Sequence, residues 1–234
     1  MHINGLNKTT LLDYPGHLAA TIFIGGCNMR CPFCHNASLV TKVSSQPRIP
    51  TDQVLAFLDK RKNILEGVCI TGGEPTLYSD LPDFIKKIKS LGYKVKLDSN
   101  GTNPVMLKYL CQKSLIDYIA MDIKNSKEKY PLSVGIKDFD TSPVEESVDF
   151  LLSLPNNSSI TYEFRTTIVK QHHNDKDFIS IGKWIEGARA YYLQVFVDSG
   201  DLISPGLSGH EKETMERFIH LLSPYVENSS IRGL

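Results

Sequence analysis

The sequence predicts an α/β fold in the form of a partial, open β/α barrel of about six parallel strand–helix units. Three observations predict it. Short, mostly apolar runs alternate with stretches whose apolar residues recur at helical spacing, the pattern of parallel strands joined by right-handed crossovers. Polar motifs follow the apolar runs directly, where the strand ends of such a sheet open on one ligand-binding face. Six units are also fewer than the eight that close a standard barrel.

In chain order, residues 1–17 hold no clear periodicity, and Asp13-Tyr14-Pro15-Gly16 reads as a turn. Residues 18–24 (Leu-Ala-Ala-Thr-Ile-Phe-Ile) form a buried strand that ends at Gly25-Gly26. Residues 44–50 are polar, contain Pro47 and Pro50, and form a loop; Thr51 then caps a helix that turns Val54, Leu55, Phe57 and Leu58 inward. A strand at 67–71 runs into Gly72-Gly73-Glu74-Pro75, and a helix at 81–91 stops at Gly92. A strand at 94–97 leads into Asp98-Ser99-Asn100-Gly101, and a helix at 104–113 starts on Pro104, where the missing N–H costs nothing. A strand at 116–121 ends in Asp122-Ile123-Lys124. Residues 125–143 are polar and irregular, an excursion or lid. Helices at 145–154, 175–184 and 210–222 and strands at 160–169 and 191–197 complete the alternation. No Gly-, Ser- or Pro-rich linker interrupts it, so residues 1–234 are expected to form a single domain.

The composition narrows the function classes. With 26 basic and 26 acidic residues, no global field draws the chain to nucleic acid or an anionic membrane. No signal-peptide core opens it and no apolar run approaches the ~20 residues of a spanning helix. Five cysteines, three of them clustered, fit a reducing compartment, so a cytoplasmic protein is expected.

The cluster is the informative stretch. Within the loop 25–37, Cys27, Cys31 and Cys34 stand in C-x3-C-x2-C spacing. An odd number argues against a closed local disulfide set, and three ligands fall short of a structural zinc site. A soft-ligand metal centre with one open position fits. The alternative is a non-catalytic zinc-binding module completed by His35 or a distant histidine. Cys69, in an apolar strand, and Cys111, on a helix, read as packing residues. The cysteine loop and the motifs at 72–75, 98–101 and 122–124 all follow strands, so they are expected to meet beside the metal.

C-x3-C-x2-C with Phe33 before the last cysteine, followed by Gly72-Gly73-Glu74-Pro75, resembles the radical S-adenosylmethionine (SAM) enzymes. Cys34-His35-Asn36, Asp98-Ser99-Asn100-Gly101 and Asp122-Ile123-Lys124 resemble the glycyl-radical-enzyme activases among them. Residues 5–16 (Gly-Leu-Asn-Lys-Thr-Thr-Leu-Leu-Asp-Tyr-Pro-Gly) are similar to the branch that activates anaerobic ribonucleoside-triphosphate reductase. The resemblance implies a [4Fe–4S] cluster on Cys27, Cys31 and Cys34, with SAM on the fourth iron. It implies reductive cleavage of SAM to a 5′-deoxyadenosyl radical, which abstracts hydrogen from a glycine of a partner enzyme, with flavodoxin or ferredoxin as electron donor. The alternative within the superfamily is an enzyme that acts on another glycyl radical enzyme, a peptide, an RNA or a small molecule.

By the same resemblance Phe33 lies beside the adenine, Gly72 and Gly73 receive the SAM amino group, and Glu74 accepts its hydrogen bond. Asp98, Ser99 and Asn100 either cap the next helix or contact a ribose or cation. Asp122 and Lys124 are either a solvated surface pair or part of the site. Arg165 pairs either with the SAM carboxylate or with Glu163, two residues away on the same strand face. Gln194 matches a polar position near SAM. His172 and His173, adjacent in a polar turn, are expected to be exposed.

Overall fold

A computed structural model describes residues 1–233. Eight strands form one sheet in sequence order: β1 (Ile3–Thr10), β2 (Ala19–Ile24), β3 (Gly67–Gly72), β4 (Lys94–Ser99), β5 (Tyr118–Asp122), β6 (Thr161–Ile168), β7 (Tyr191–Val195) and β8 (Ser229–Arg232). β1 runs antiparallel to β2, and every later neighbour is parallel. Helices α1 (Ala37–Thr41), α2 (Thr51–Arg61), α3 (Leu81–Ser90), α4 (Pro104–Gln112), α5 (Tyr130–Val134), α6 (Ser142–Leu152), α7 (Asp175–Trp184) and α8 (Lys212–Leu222) fill the connections. The predicted open α/β architecture is present, with one more parallel strand than expected.

Two strands escaped the sequence pattern, and both are sheet edges. β1 (Ile-Asn-Gly-Leu-Asn-Lys-Thr-Thr) pairs on one side only, and its middle is exposed or half-buried, so no apolar alternation is needed. β8 is four residues long and also pairs on one side. Three further expectations are corrected. Thr51 is the first helical residue of α2, not its cap; Pro50 occupies the cap position without a side-chain bond. Residues 125–143 are not a lid, because Asn125, Ser126 and Tyr130 are buried and α5 folds among them. His172 and His173 are buried rather than exposed.

The sheet is strongly curved. Thr71 of β3 and Gln194 of β7 line the same cavity, although four strand spacings would set them ~19 Å apart in a flat sheet. The convex face carries Ile70, Leu97, Ile119, Phe164 and Leu193, all fully buried under the helices. The concave face takes the alternate residues, among them Cys69, Ala120 and the polar Lys96 and Asp98, Tyr118 and Asp122, Glu163 and Arg165, and Gln194. Period-two alternation on neighbouring strands therefore stacks two polar layers inside the curve. In the lower layer, the fully buried Glu163 carboxylate accepts from Arg232 Nη1 and Nη2 at 2.6 and 2.7 Å and from the Tyr118 hydroxyl. The Arg232 guanidinium carbon also lies 3.4 Å from the Tyr192 ring centroid, so one residue of the edge strand β8 holds β6 and β7, and Glu163 extends the tie to Tyr118 of β5.

Removing the cation would leave a buried carboxylate without its counter-charge. Arg232→Ala is therefore expected to lower the unfolding free energy by about 3 kcal/mol, read from urea denaturation at pH 7; a loss within 0.5 kcal/mol, the ordinary surface range, would show that the clamp is not a stabilising feature.

Candidate active site

The cysteine loop leaves β2 at Gly25 and is stitched to the neighbouring strand ends. Glu74 N donates to Gly26 O at 2.8 Å, Asn36 Nδ2 to Gly72 O at 3.2 Å, and the Tyr78 hydroxyl to Gly25 O at 2.7 Å. The glycines are required by this approach. A Cβ on Gly73 would stand 1.9 Å from Gly26 O, and one on Gly72 would meet Ile24 O at 2.3 Å, in a backbone with φ of +120°.

An open cavity lies where these segments meet. Of the fourteen residues singled out from the sequence, thirteen line it: Cys27, Cys31, Phe33, Cys34, Gly72, Gly73, Asp98, Ser99, Asn100, Asp122, Lys124, Arg165 and Gln194. Residues separated by more than a hundred positions are brought to one wall.

Glu74 is the exception. It is fully buried and accepts from Thr76 N (3.0 Å), the Thr76 hydroxyl, Ser99 Oγ (2.9 Å) and Asn100 N (2.6 Å). Its carboxylate joins the end of β3 to the end of β4 instead of facing the cavity. Burial pushes its pKa upward, and the four donors oppose that shift. Nor do Asp98, Ser99 and Asn100 cap α4. Asn103 does, accepting from Met106 N at 3.1 Å.

The upper polar layer is a chain of alternating charges. Lys96 Nζ contacts Asp98, whose other oxygen is 3.1 Å from Arg165 Nη1; Arg165 Nε donates to Asp122 Oδ1 at 2.9 Å, and Lys124 Nζ lies 2.9 Å from Asp122 Oδ2. Arg165 thus pairs with Asp98 and Asp122, and the pairing with Glu163 is replaced, since Arg232 holds that carboxylate. Asp122 and Lys124 are partly buried at the cavity, not a solvated surface pair. Burial would raise the Asp122 pKa, but the Arg165 and Lys124 charges outweigh it and hold the carboxyl at about 2. Asp98 is lowered in the same way, burial again being overcome by Arg165 and Lys96. Three cations against two carboxylates leave this chain of charges with one positive charge in excess.

Phe33 packs edge-on against His172 and His173, with centroids 5.3 and 6.2 Å away. His173 accepts from Val169 N at 3.0 Å through Nδ1, and its Nε2 lies 2.9 Å from Lys124 O, which braces the backbone that presents Lys124. Met29, His35, Asn36, Val40, Thr71 and Thr167 complete the wall. Thr71 and Thr167 were recoverable in principle, since each lies two residues from a concave-face position, Cys69 or Arg165. Met29 and Val40 carried no signal.

A radical SAM superfamily model matches residues 21–185, well over half of the chain. The chain belongs to the radical SAM superfamily. It is 28% identical over 235 residues, covering 99% of its own length and 96% of the relative's, to a Methanocaldococcus jannaschii protein provisionally named a glycyl-radical enzyme activating enzyme. It is also 28% identical over 178 residues to a GTP 3′,8-cyclase of Helicobacter pylori, covering 72% of this chain and 51% of that protein. The structure of Streptococcus suis SuiB bound to S-adenosylmethionine shares the fold, with a TM-score of 0.67 at 13% identity over 91% of this chain and 52% of SuiB.

Membership implies a [4Fe–4S] cluster and SAM, and the donor set of this radical SAM protein fits them. Cys27, Cys31 and Cys34 are free thiols on one cavity wall. Burial pushes Cys27 up to about 11 and Cys31 up to about 12, with Cys34 raised as well, while Lys124 pulls each down. Such thiols become ligands only with a metal to hold the thiolates. Among the described residues, no three His, Cys, Asp or Glu side chains are grouped around a single metal-ion position. A cluster, in contrast, spreads its three cysteine sulfurs over three irons.

Replacing Arg165 exposes the charge balance of the site. Asp98 and Asp122 have folded pKa values below the ordinary ~3.9, so their pairing stabilises the fold above that pH and is lost as pH falls toward 2. Arg165→Met is expected to cost about 3 kcal/mol at pH 7 and to lose stability less steeply than the parent between pH 4 and 2. Thermal unfolding across that range checks both; parallel curves would show that Arg165 does not depress the two carboxyls.

Proposed function

We propose that this radical SAM protein is a glycyl-radical-enzyme activase whose partner is anaerobic ribonucleoside-triphosphate reductase. The observation that carries the reading is the single cavity walled by three cysteine thiols and by polar residues from five strand ends. Similarity over nearly the whole length to a provisionally named activase supports the class. The narrower choice of partner rests on residues 5–16.

Cys27, Cys31 and Cys34 would hold the [4Fe–4S] cluster, which when bound supplies the single electron for reductive cleavage of SAM. The protein's own part is positioning and charge. The positive excess of the Lys96–Asp98–Arg165–Asp122–Lys124 chain suits the SAM carboxylate, with Lys124 and Arg165 as its cations. Asp98 and Asp122 keep those cations in place and, as carboxylates, also suit the SAM ammonium or ribose. Gly72 and Gly73 line the cavity and are assigned to the methionine part of SAM. Ser99, Asn100 and Gln194 add polar contacts, and Phe33 offers a ring edge for the adenine. Flavodoxin or ferredoxin is the class of donor we assign, in a cytoplasmic setting.

Anaerobic reconstitution tests the reading in two stages. The reduced protein is expected to cleave SAM to methionine and 5′-deoxyadenosine, and Cys27→Ala, Cys31→Ala or Cys34→Ala to lower the rate at least ~10³-fold, as for loss of an essential catalytic group. Incubation with the reductase is expected to give the doublet of a glycyl radical by electron paramagnetic resonance. A colourless zinc protein without SAM cleavage would refute the enzyme class; cleavage without a radical on the reductase would refute only the partner.

A further inference from the structure

We infer that Asn100 is a positioning residue for the metal centre: its side-chain amide donates a hydrogen bond to Cys27 Sγ and raises the reduction potential of the cluster held there. The inference rests on the reading of Cys27 as a cluster ligand. Asn100 Nδ2 lies 3.8 Å from Cys27 Sγ and 3.0 Å from Asn28 Oδ1. A carboxamide can turn end for end, but this one is latched. Its Oδ1 accepts from Thr102 N at 3.0 Å and from Thr102 Oγ1 at 2.7 Å, which leaves only the NH₂ end to face the sulfur.

The backbone beneath is held as firmly. Asn100 N donates to the buried Glu74 carboxylate, which Thr76 and Ser99 anchor in turn. Asn28 Nδ2 donates to Thr102 Oγ1 at 2.9 Å and closes a ring of Asn28, Asn100 and Thr102 between the cysteine loop and the end of β4. Asn100 is 5% exposed, so water does not readily replace its hydrogen bonds. The Gly-Gly-Glu-Pro and Asp-Ser-Asn-Gly motifs are in this respect one assembly that aims an N–H at the first cysteine.

Hydrogen bonds to ligand sulfurs are among the determinants of cluster potential. An N–H dipole pointed at the thiolate favours the more negative, reduced state, which moves the potential upward. Cys27 also receives Met29 N at 3.3 Å, a backbone donor that substitution does not remove. Among the described residues, no other side chain donates to Cys27, and none donates to Cys31 or Cys34. Asn100 is therefore, among the described residues, the side chain that acts on this centre through a hydrogen bond to a ligand sulfur.

The test is a potentiometric titration of anaerobically reconstituted protein, without SAM, using dithionite and redox mediators, with iron content measured on the same samples. Asn100→Leu keeps the number and branching of the side-chain heavy atoms and removes the donor. It is expected to retain iron and to shift the one-electron equilibrium up to about tenfold toward the oxidised cluster, or about 59 mV more negative. Thr102→Val, which loosens the latch and spares the amide, should shift it the same way by less. An unchanged potential in iron-replete Asn100→Leu overturns the inference while leaving the cluster assignment standing. If that variant fails to load iron, Thr102→Val decides, an unchanged potential again overturning it. A parent protein that assembles no cluster overturns both the ligand assignment and this inference.

Discussion

Five alternating charges inside the curve of the sheet set the terms for the rest of the molecule. Taking an ion out of water costs several kcal/mol after relaxation, and one contact at ~4 Å returns about 4 kcal/mol at an effective dielectric of ~20. A single partner therefore leaves a buried charge near break-even, and two partners make it favourable. Asp98, Arg165 and Asp122 each have two opposite charges. Only the ends of the chain have one, and each end has a further support: Lys96 lies near Cys69 Sγ and the Tyr118 ring, while Lys124 borders the cavity. The arrangement is self-consistent only if β4, β5 and β6 stay in register, so the fold and the site stabilise each other.

The cysteine loop depends on a second constraint, close backbone approach. Gly72 and Gly73 let the end of β3 come against Ile24 and Gly26, a contact that any Cβ would prevent. That contact places Glu74 inside the wall, where its four donors come from residues 76, 99 and 100. Glu74 thus acts at one remove from the cavity, and Asn100 carries its effect to Cys27. Loop and strand ends are thus joined by hydrogen bonds into one support.

The site was more legible than the edges of the fold. Strand-end motifs are short, specific in residue type and tied to parallel sheets by a general rule, so the meeting of Cys27, Gly72, Asp98 and Asp122 could be expected from sequence, whereas the partners of Arg165 could not. β1 and β8 left no trace because an edge strand buries little, and Asn125–Ser126 looked irregular because polar residues buried through hydrogen bonds resemble solvated ones in sequence. His172 and His173 misled for the same reason. Their burial is made possible by the nearby Val169 and by partners at Lys124 and Ser133, distant in the chain.

The sequence by itself determined the alternation of strand and helix, the thiol spacing and the identity of the polar residues at the strand ends, because each is local and periodic. Tertiary structure decided the partners. Which cation holds Glu163, which carboxylates flank Arg165, and whether Glu74 faces a ligand or the wall depend on the register and curvature of the sheet. Those come from pairing and packing across the whole chain, and no window of sequence contains them.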